Sequence, residues 1–266
     1  MHVDRYGHGG PPIVLLHGFG TYSFLWRHVG PRLALARCMA FAVDLLGHGE
    51  SDRPFDADFG IAAQAEYLDR AMTALRIDRA TVVGVDVGGG VALRLAAVHP
   101  ERVERLVLVN TVAFDDFPGQ DIRTLQRNTA RFALRISRGV LGAKPLLEPL
   151  LAGSVAREES MPARLLARYL APFVGREGVG HLLSLARAIS ADDLEELDLG
   201  AIHHSTLVVW GEDDRWLDPR IPDMLVNTIP DSRLVRLPGV GRLVPEEAPD
   251  ALADLVLEFV RVPGTV

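Results

Sequence analysis

Short β-branched runs ending in glycine or aspartate alternate with Ala/Leu/Arg stretches of helical spacing through residues 1–111. This alternation confines the chain to a parallel sheet covered by helices. Strand pattern is read at Pro12-Ile13-Val14-Leu15-Leu16, Ala40-Phe41-Ala42-Val43-Asp44, Thr81-Val82-Val83-Gly84-Val85 and Leu106-Val107-Leu108-Val109-Asn110, and helical pattern near Phe24 to Ala36, Ile61 to Leu75 and Val91 to Ala97. From Val112 to Gly200 the strand signal vanishes. Leu/Ala/Arg pattern, broken at Pro145, Pro149, Pro162 and Pro172, predicts an inserted cap of short helices there. Strand pattern resumes at Leu207-Val208-Val209-Trp210 and Arg233-Leu234-Val235-Arg236-Leu237, with a last helix from Ala248 to Val260. The chain is thus read as a core in two parts, 1–111 and 201–266, around a helical cap at 112–200.

Composition narrows the partners. Of 266 residues 48% are hydrophobic and 24% charged, enough apolar surface for a sizeable core and too little charge for intrinsic disorder. The net charge is −7, and the basic residues are scattered arginines with Lys144 the sole lysine, so no stripe could track a phosphate backbone and nucleic acid is not expected as a partner. Cys38 is the single cysteine, which excludes an intrachain disulfide and a cysteine-based metal cluster. The start, Met1-His2-Val3-Asp4-Arg5-Tyr6, lacks the basic and apolar parts of a signal peptide. No segment approaches the roughly 18 uncharged apolar residues of a membrane span. The expectation is a soluble cytoplasmic protein with no membrane partner.

Gly84-Val85-Asp86-Val87-Gly88 stands between a strand and a helix, where small flanking residues permit a sharp turn that projects the middle side chain. That middle residue is aspartate, not serine. A phosphate cradle is the competing reading of a glycine cluster opening a helix. Gly88-Gly89-Gly90 lacks the Gly-x-Gly-x-x-Gly spacing, however, and Asp86 would repel an anion at the helix start. His17-Gly18-Phe19-Gly20 follows the earlier strand, so that the backbone N–H groups of Phe19 and Val87 can converge on one developing negative charge.

With Leu15-Leu16-His17-Gly18-Phe19-Gly20, Asp44-Leu45-Leu46-Gly47-His48-Gly49-Glu50-Ser51-Asp52, this elbow and Trp210-Gly211-Glu212-Asp213-Asp214, the chain resembles the α/β-hydrolase family over nearly its whole length. The resemblance implies an α/β-hydrolase fold: a mostly parallel sheet with helices on both faces and an inserted helical cap. An aspartate in the elbow is similar to the haloalkane dehalogenase and epoxide hydrolase branch. That branch implies a carboxylate attacking carbon, an alkyl-enzyme ester, and histidine-activated water that hydrolyses the ester, without a cofactor or metal. It further implies that Asp214 is the acid of the triad and Asp213 a solvated neighbour. The short N-terminus implies that the family's first edge strand is missing and that His2 to Arg5 begin the sheet.

The departure comes where the base belongs. Gly239-Val240-Gly241-Arg242-Leu243-Val244-Pro245-Glu246-Glu247-Ala248-Pro249 puts Arg242 at the position of the family's histidine. A guanidinium, whose pKa exceeds about 12, cannot activate water as imidazole does. Between Asp86 and Asp214 it could pair with both carboxylates. One reading is a structural ion-pair triad in a silent homologue that binds a small ligand as carrier, sensor or scaffold. The other is a repurposed pocket in which Asp86 serves as nucleophile or base and Arg242 binds an anionic or carbonyl group; intact elbow and oxyanion signatures favour it.

Substitutes for the base are few. His17 and His48 belong to the two loops and read as supporting residues. His203 and His204 precede a strand and fall at the far end of the sheet. His181, in the cap, is the candidate to hang over Asp86. Trp26, Trp210 and Trp216 are assigned to core segments. Val87 occupies the place where haloalkane dehalogenases carry a halide-binding tryptophan, and Tyr169 and Tyr22 are the tyrosines available as acids or substrate contacts. A helical cap of mostly apolar residues favours a small, largely hydrophobic substrate.

Overall fold

The computed structural model describes residues 1–115, 118–127 and 142–261. Positions 116–117 and 128–141 of the expected cap lie outside the described residues. Seven strands form one sheet: β1 (Val3–Tyr6), β2 (Pro12–Leu16), β3 (Met39–Val43), β4 (Ala80–Asp86), β5 (Val103–Thr111), β6 (Thr206–Gly211) and β7 (Ser232–Leu237), in the order β1-β3-β2-β4-β5-β6-β7. Every pairing is parallel except that of β1 with β3. The alternation of strand and helix in the sequence therefore has the consequence expected of it. β4 and β6 are buried along their whole length, as continuous Val/Leu/Ala runs must be when helices cover both faces. The sheet begins at Val3, within the His2 to Arg5 stretch expected to open it, because Val3 to Tyr6 pairs antiparallel with Val43 to Ala40.

Helices α1 (Val29–Leu35), α2 (Ile61–Ala74) and α3 (Val87–Val98) link the early strands. The single helix expected near Phe24 to Ala36 is divided into a 3-10 turn at Ser23–Trp26 and α1. Between β5 and β6 the described residues are helical or irregular, with helices at Gln120–Gln126, Lys144–Ala152, Ala163–Leu170 and Gly175–Ala188. Two prolines expected to break this stretch do not. Pro145 lies in the first turn of Lys144–Ala152, where its missing N–H has no intrahelical acceptor to lose, and Pro149 is carried inside the same helix. Pro162 caps the helix that follows it, and Pro172 opens a short 3-10 turn.

Strand order sets the place of the site. From β2 the chain moves to one side to make β3 and then crosses to the other side to make β4, so the loops leaving β2 and β4 diverge above their carboxyl ends. A crevice forms at such a switch point. Here the two elements approach so closely that side chains are excluded. A Cβ on Gly88 would lie 2.4 Å from the His17 carbonyl oxygen and 2.7 Å from that of Leu16, and one on Gly84 would lie 2.3 Å from the Gly88 oxygen.

Gly88→Ala is expected to destabilise the chain by roughly 1–3 kcal/mol, because the obstructing atoms are backbone and cannot rotate away. Gly9→Ala, with nothing within 4 Å of the added atom, is the control and should stay within about 0.5 kcal/mol of the parent. Urea unfolding of the two variants measures both; equal stabilities would contradict the close approach of α3 to β2.

Candidate functional site

Asp86 is the last residue of β4 and the N-cap of α3, at φ 55° and ψ −121°. This conformation is sparsely populated for a residue with a side chain and costs of order 1–3 kcal/mol. The glycines around it make the turn possible: a Cβ on Gly89 would meet Thr111 Oγ1 at 2.0 Å, and one on Gly18 would meet Asp86 Cβ at 2.7 Å. The strained turn places the carboxylate against the β2 loop, where the Phe19 N–H donates to Oδ2 at 2.9 Å. Val87, whose N–H was expected to join Phe19, opens α3 and so holds one of the helix's donors without an intrahelical acceptor. Asp86 is only 3% exposed.

Arg242 comes to Asp86 from the loop after β7. Its Nη1 lies 3.5 Å from Asp86 Oδ1 and its Nη2 donates to Ser154 Oγ at 2.7 Å, in surroundings that leave it 7% exposed. The two carboxylate oxygens are thereby distinguished: Oδ2 accepts a hydrogen bond and Oδ1 meets a cation. The loop is anchored by Glu247, whose Oε2 accepts from Gly241 N–H at 2.6 Å and Ala156 N–H at 2.8 Å and whose Oε1 accepts from Arg157 N–H at 3.0 Å. Ser154, Ala156 and Arg157 follow the helix Lys144–Ala152, so the β5–β6 insertion forms one wall of the site. Trp216 is not a core residue. It stands in the loop after β6, half-buried, with the Arg242 guanidinium 5.8 Å above its ring.

Asp214 lies in the same loop, and its contacts run elsewhere than expected. Oδ2 accepts from Asn110 Nδ2 at 2.9 Å, and Oδ1 accepts from the N–H groups of Trp216 at 2.8 Å and Leu217 at 3.2 Å. Asn110, at the end of β5 with φ 37°, also accepts from Gly211 N–H, so it ties β5 to β6 while holding Asp214. Sequence reasoning missed Asn110, Ser154 and the position of Trp216. Glu247 escaped with them, because the amides it binds at Ala156 and Arg157 are 91 and 90 positions away in the chain.

The other candidates are turned away from the Asp86 carboxylate by their own bonds. The Tyr169 hydroxyl donates to Glu246 Oε1, and burial, reinforced by the charge of Glu246, pushes its pKa well above the ordinary 10. Glu246 is also gripped by Arg27 through two hydrogen bonds of 2.6 and 2.7 Å. Tyr22 donates to the Arg168 carbonyl at 3.2 Å and packs its ring against Phe24 and Tyr169. His181 bonds to the Gly47 carbonyl and lines a cavity of about 640 Å³ with Arg53, Phe55, Phe59 and Glu177. Leu45 N–H donates to His17 Nε2 at 3.0 Å, so the proton is on Nδ1 and is given to the Gly18 carbonyl at 2.8 Å; both ring nitrogens are occupied. His48 packs against His17 with centroids 4.9 Å apart. His204 is at the opposite end of the sheet, against the Pro100 carbonyl.

Among the described residues no group of three or more His, Cys, Asp or Glu side chains could hold a metal ion, and no helix is long and apolar enough to cross a membrane. What the arrangement can do chemically is present a carboxylate oxygen, fixed by a backbone donor on one side, to a carbon centre beside a permanent cation.

Comparison with known proteins agrees with this fold. The alpha/beta hydrolase fold family matches residues 11–249. Haloalkane dehalogenase 2 of Mycobacterium bovis is 29% identical over 254 residues, covering 94% of this chain and 87% of that protein. A solved alpha/beta hydrolase fold protein from Burkholderia ambifaria is 30% identical, covers 96% of this chain and 93% of its own, and superposes with a TM-score of 0.83. The structure of the ancestral haloalkane dehalogenase AncHLD2 is 25% identical, with a TM-score of 0.83 over 97% of this chain and 94% of that one.

The two loop histidines predict a pH dependence of stability. Burial holds His17 below the ordinary 6.5, against the charge of Asp44, and burial with the neighbouring His17 holds His48 well below it. Burial lowers His181 in the same way, so as pH falls through 6.5 the unfolded chain takes up protons at His17, His48 and His181 that the folded chain refuses, and stability is present above 6.5 and lost below it. The slope should approach about 1.4 kcal/mol per pH unit for each histidine. His48→Gln should remove the share of one histidine from the summed slope. Urea unfolding from about pH 7 down to about pH 5 reads this directly; an unchanged slope in the variant would place the titration elsewhere.

Proposed function

The chain belongs to the alpha/beta hydrolase family, and from that premise we propose that it is a cofactor-independent enzyme in which Asp86 attacks a small, largely apolar alkyl electrophile. The observation that carries this reading is the Asp86 carboxylate itself: held at φ 55° above the β4–α3 turn, with Oδ2 on the Phe19 N–H and Oδ1 facing Arg242. A buried carboxylate costs free energy unless hydrogen-bonded and paired, and both partners favour its charged, nucleophilic form. Phe19 and Val87 would hold the oxygen on which charge collects when the acyl group of the ester is later attacked.

Similarity to a haloalkane dehalogenase over 94% of the chain supports an alkyl halide as the electrophile. An epoxide fits less well, because Tyr169 and Tyr22, the tyrosines that would protonate the opened ring, are engaged with Glu246 and the Arg168 carbonyl. Formation of the ester needs only the carboxylate, whereas its breakdown needs activated water, and Arg242 has no basic lone pair to supply it. The enzyme is therefore read as one whose hydrolytic half is impaired. A second reading, a silent homologue that binds a small ligand, is favoured by the Arg242 contacts with both Asp86 and Ser154, which resemble a structural pair.

Intact-protein mass spectrometry after incubation with haloalkane and epoxide panels separates the two. An alkyl adduct on Asp86 that persists is expected from the first reading, and a folded protein that stays unmodified across the panel supports the second. Arg242→His should raise ester breakdown by about 10²–10⁴-fold, the usual contribution of a general base. A variant that accumulates the same adduct with no gain in turnover would mean that Asp214 and the loop no longer support a base there.

A further inference from the structure

The cavity beside His181 is walled by two distant parts of the chain. One wall is the segment between β3 and α2, from Arg53 to Phe59, and the other is the helix Gly175–Ala188, which contributes Glu177, Gly180 and His181. A volume of about 640 Å³ suits a small organic molecule. Phe55 and Phe59 make part of the lining aromatic, and the Phe55 side chain is fully exposed, so a bound apolar body would take a large face out of water. The helix wall leaves room for such a body. A Cβ added at Gly180 would have nothing within 4 Å.

Arg53 supplies a cation whose partners are neutral. Its Nη1 donates to the Pro172 carbonyl at 2.9 Å and its Nη2 to the Gly49 carbonyl at 3.4 Å, while the guanidinium carbon stands 6.0 Å over the Phe173 ring. Two carbonyls and an aromatic face fix the plane of the group without neutralising it. The remaining N–H groups of the fork are left for solvent or a ligand. Burial lowers the pKa of Arg53, and no carboxylate among the described residues raises it again.

The other charges of the cavity set the kind of anion. Asp58 is committed, its Oδ1 accepting from the Gly60 N–H at 2.8 Å where α2 begins, and Glu177 stands exposed in the first turn of its helix. The charge that acts on His181 is that of Arg53, which adds to burial in holding the imidazole below the ordinary 6.5. A single negative charge matches one guanidinium, whereas a dianion would also meet the two acids. Two coplanar oxygens fit the fork of an arginine, and rings pack edge to face on phenylalanine, as His181 already does on Phe59 at 5.6 Å.

We infer that this cavity binds a small aryl-substituted monocarboxylate, with its carboxylate on the Arg53 guanidinium and its ring between Phe55, Phe59 and the open face at Gly180. The ligand touches both walls and so ties the helix Gly175–Ala188 to the β3–α2 segment, reinforcing the bond of His181 to the Gly47 carbonyl. Its binding requires no reaction at Asp86.

Saturation-transfer NMR titration of the full chain with phenylbutyrate tests this, with phenylbutyramide as the neutral and phenylbutylamine as the cationic form of the same shape. The acid should bind saturably and at least about tenfold more tightly than the amide, the effect of a charge-assisted hydrogen bond, and more tightly than the amine. Arg53→Gln should bring the acid to the affinity of the amide and leave the amide unchanged. Gly180→Leu, which favours the helix and fills free space, should weaken both by at least about tenfold. Should Arg53→Gln fail to fold by circular dichroism, Arg53→Lys takes its place; it keeps a donor for the Pro172 carbonyl, loses the fork, and should narrow the ratio of acid to amide affinity. Absence of saturable binding by the acid, equal affinity for acid and amide, or preference for the amine overturns the proposal. So does acid binding that survives both Arg53→Gln and Gly180→Leu, and its loss in Arg242→Gln would then locate it beside Asp86.

Discussion

A carboxylate that is 3% exposed must be compensated where it stands, and in this chain the compensation organises everything around it. Asp86 receives one backbone N–H from Phe19 and one cation from Arg242, and each of these is itself fixed by the fold. Phe19 is presented because β2 and β4 are neighbours whose loops part above the sheet, and because Gly18 leaves room for the aspartate beside it. Arg242 is presented because Glu247 draws Gly241 and the Ala156–Arg157 amides onto one carboxylate. Removing either member of the buried pair would take a compensating charge from the other. The pair is thus a constraint on the sheet, on the last loop and on the β5–β6 insertion together.

Two adjacent acids do most of the joining. Glu246 takes Arg27 and the Tyr169 hydroxyl, and Glu247 takes the three amides. Their side chains leave the same short helix, Val244–Glu247, in different directions, one toward the first loops of the core and one toward the end of Lys144–Ala152. Phe24 adds to the first of these through the Arg27 guanidinium 4.2 Å above its ring. The residue that meets Asp86 and the residues that fasten the insertion therefore belong to one stretch of chain, and a shift of the insertion is transmitted to Arg242 through Ser154 and Glu247.

The elements that were legible in the sequence are those whose signal is local. Strand runs such as Thr81 to Val85 are apolar throughout because both faces are buried, and the glycines around Asp86 mark a turn that only small neighbours permit. The charge of Arg242 pointed to a pairing with Asp86, and its Nη1 lies 3.5 Å from Oδ1. What escaped depends on contacts that no periodicity encodes. Tyr169 has the spacing of a helix face, but whether that face meets substrate or Glu246 is decided by a residue 77 positions away. Trp216 follows a strand and reads as core, yet it closes over Arg242 from the next loop. Pro149 breaks a helix by rule and sits inside one here, since the cost of one lost hydrogen bond is small against the buried Leu147, Leu150 and Leu151 on the same face.

On the proposed reading, in which Arg242 stands where the family carries a histidine, a guanidinium in place of an imidazole alters which reactions the site can complete, and the reason is proton inventory. Imidazole can accept a proton, hold it and return it near neutral pH, whereas guanidinium enters and leaves every step with the same charge. A displacement at carbon by Asp86 moves electrons and no proton, so it is untouched by the exchange. Attack of water on the resulting ester must dispose of a proton, and two of the described residues that could take one are committed: His17 uses both nitrogens, and Asp214 is bound by Asn110 and two amides. On the proposed reading, the fold keeps the half of the chemistry that depends on position and charge and gives up the half that depends on a shuttled proton.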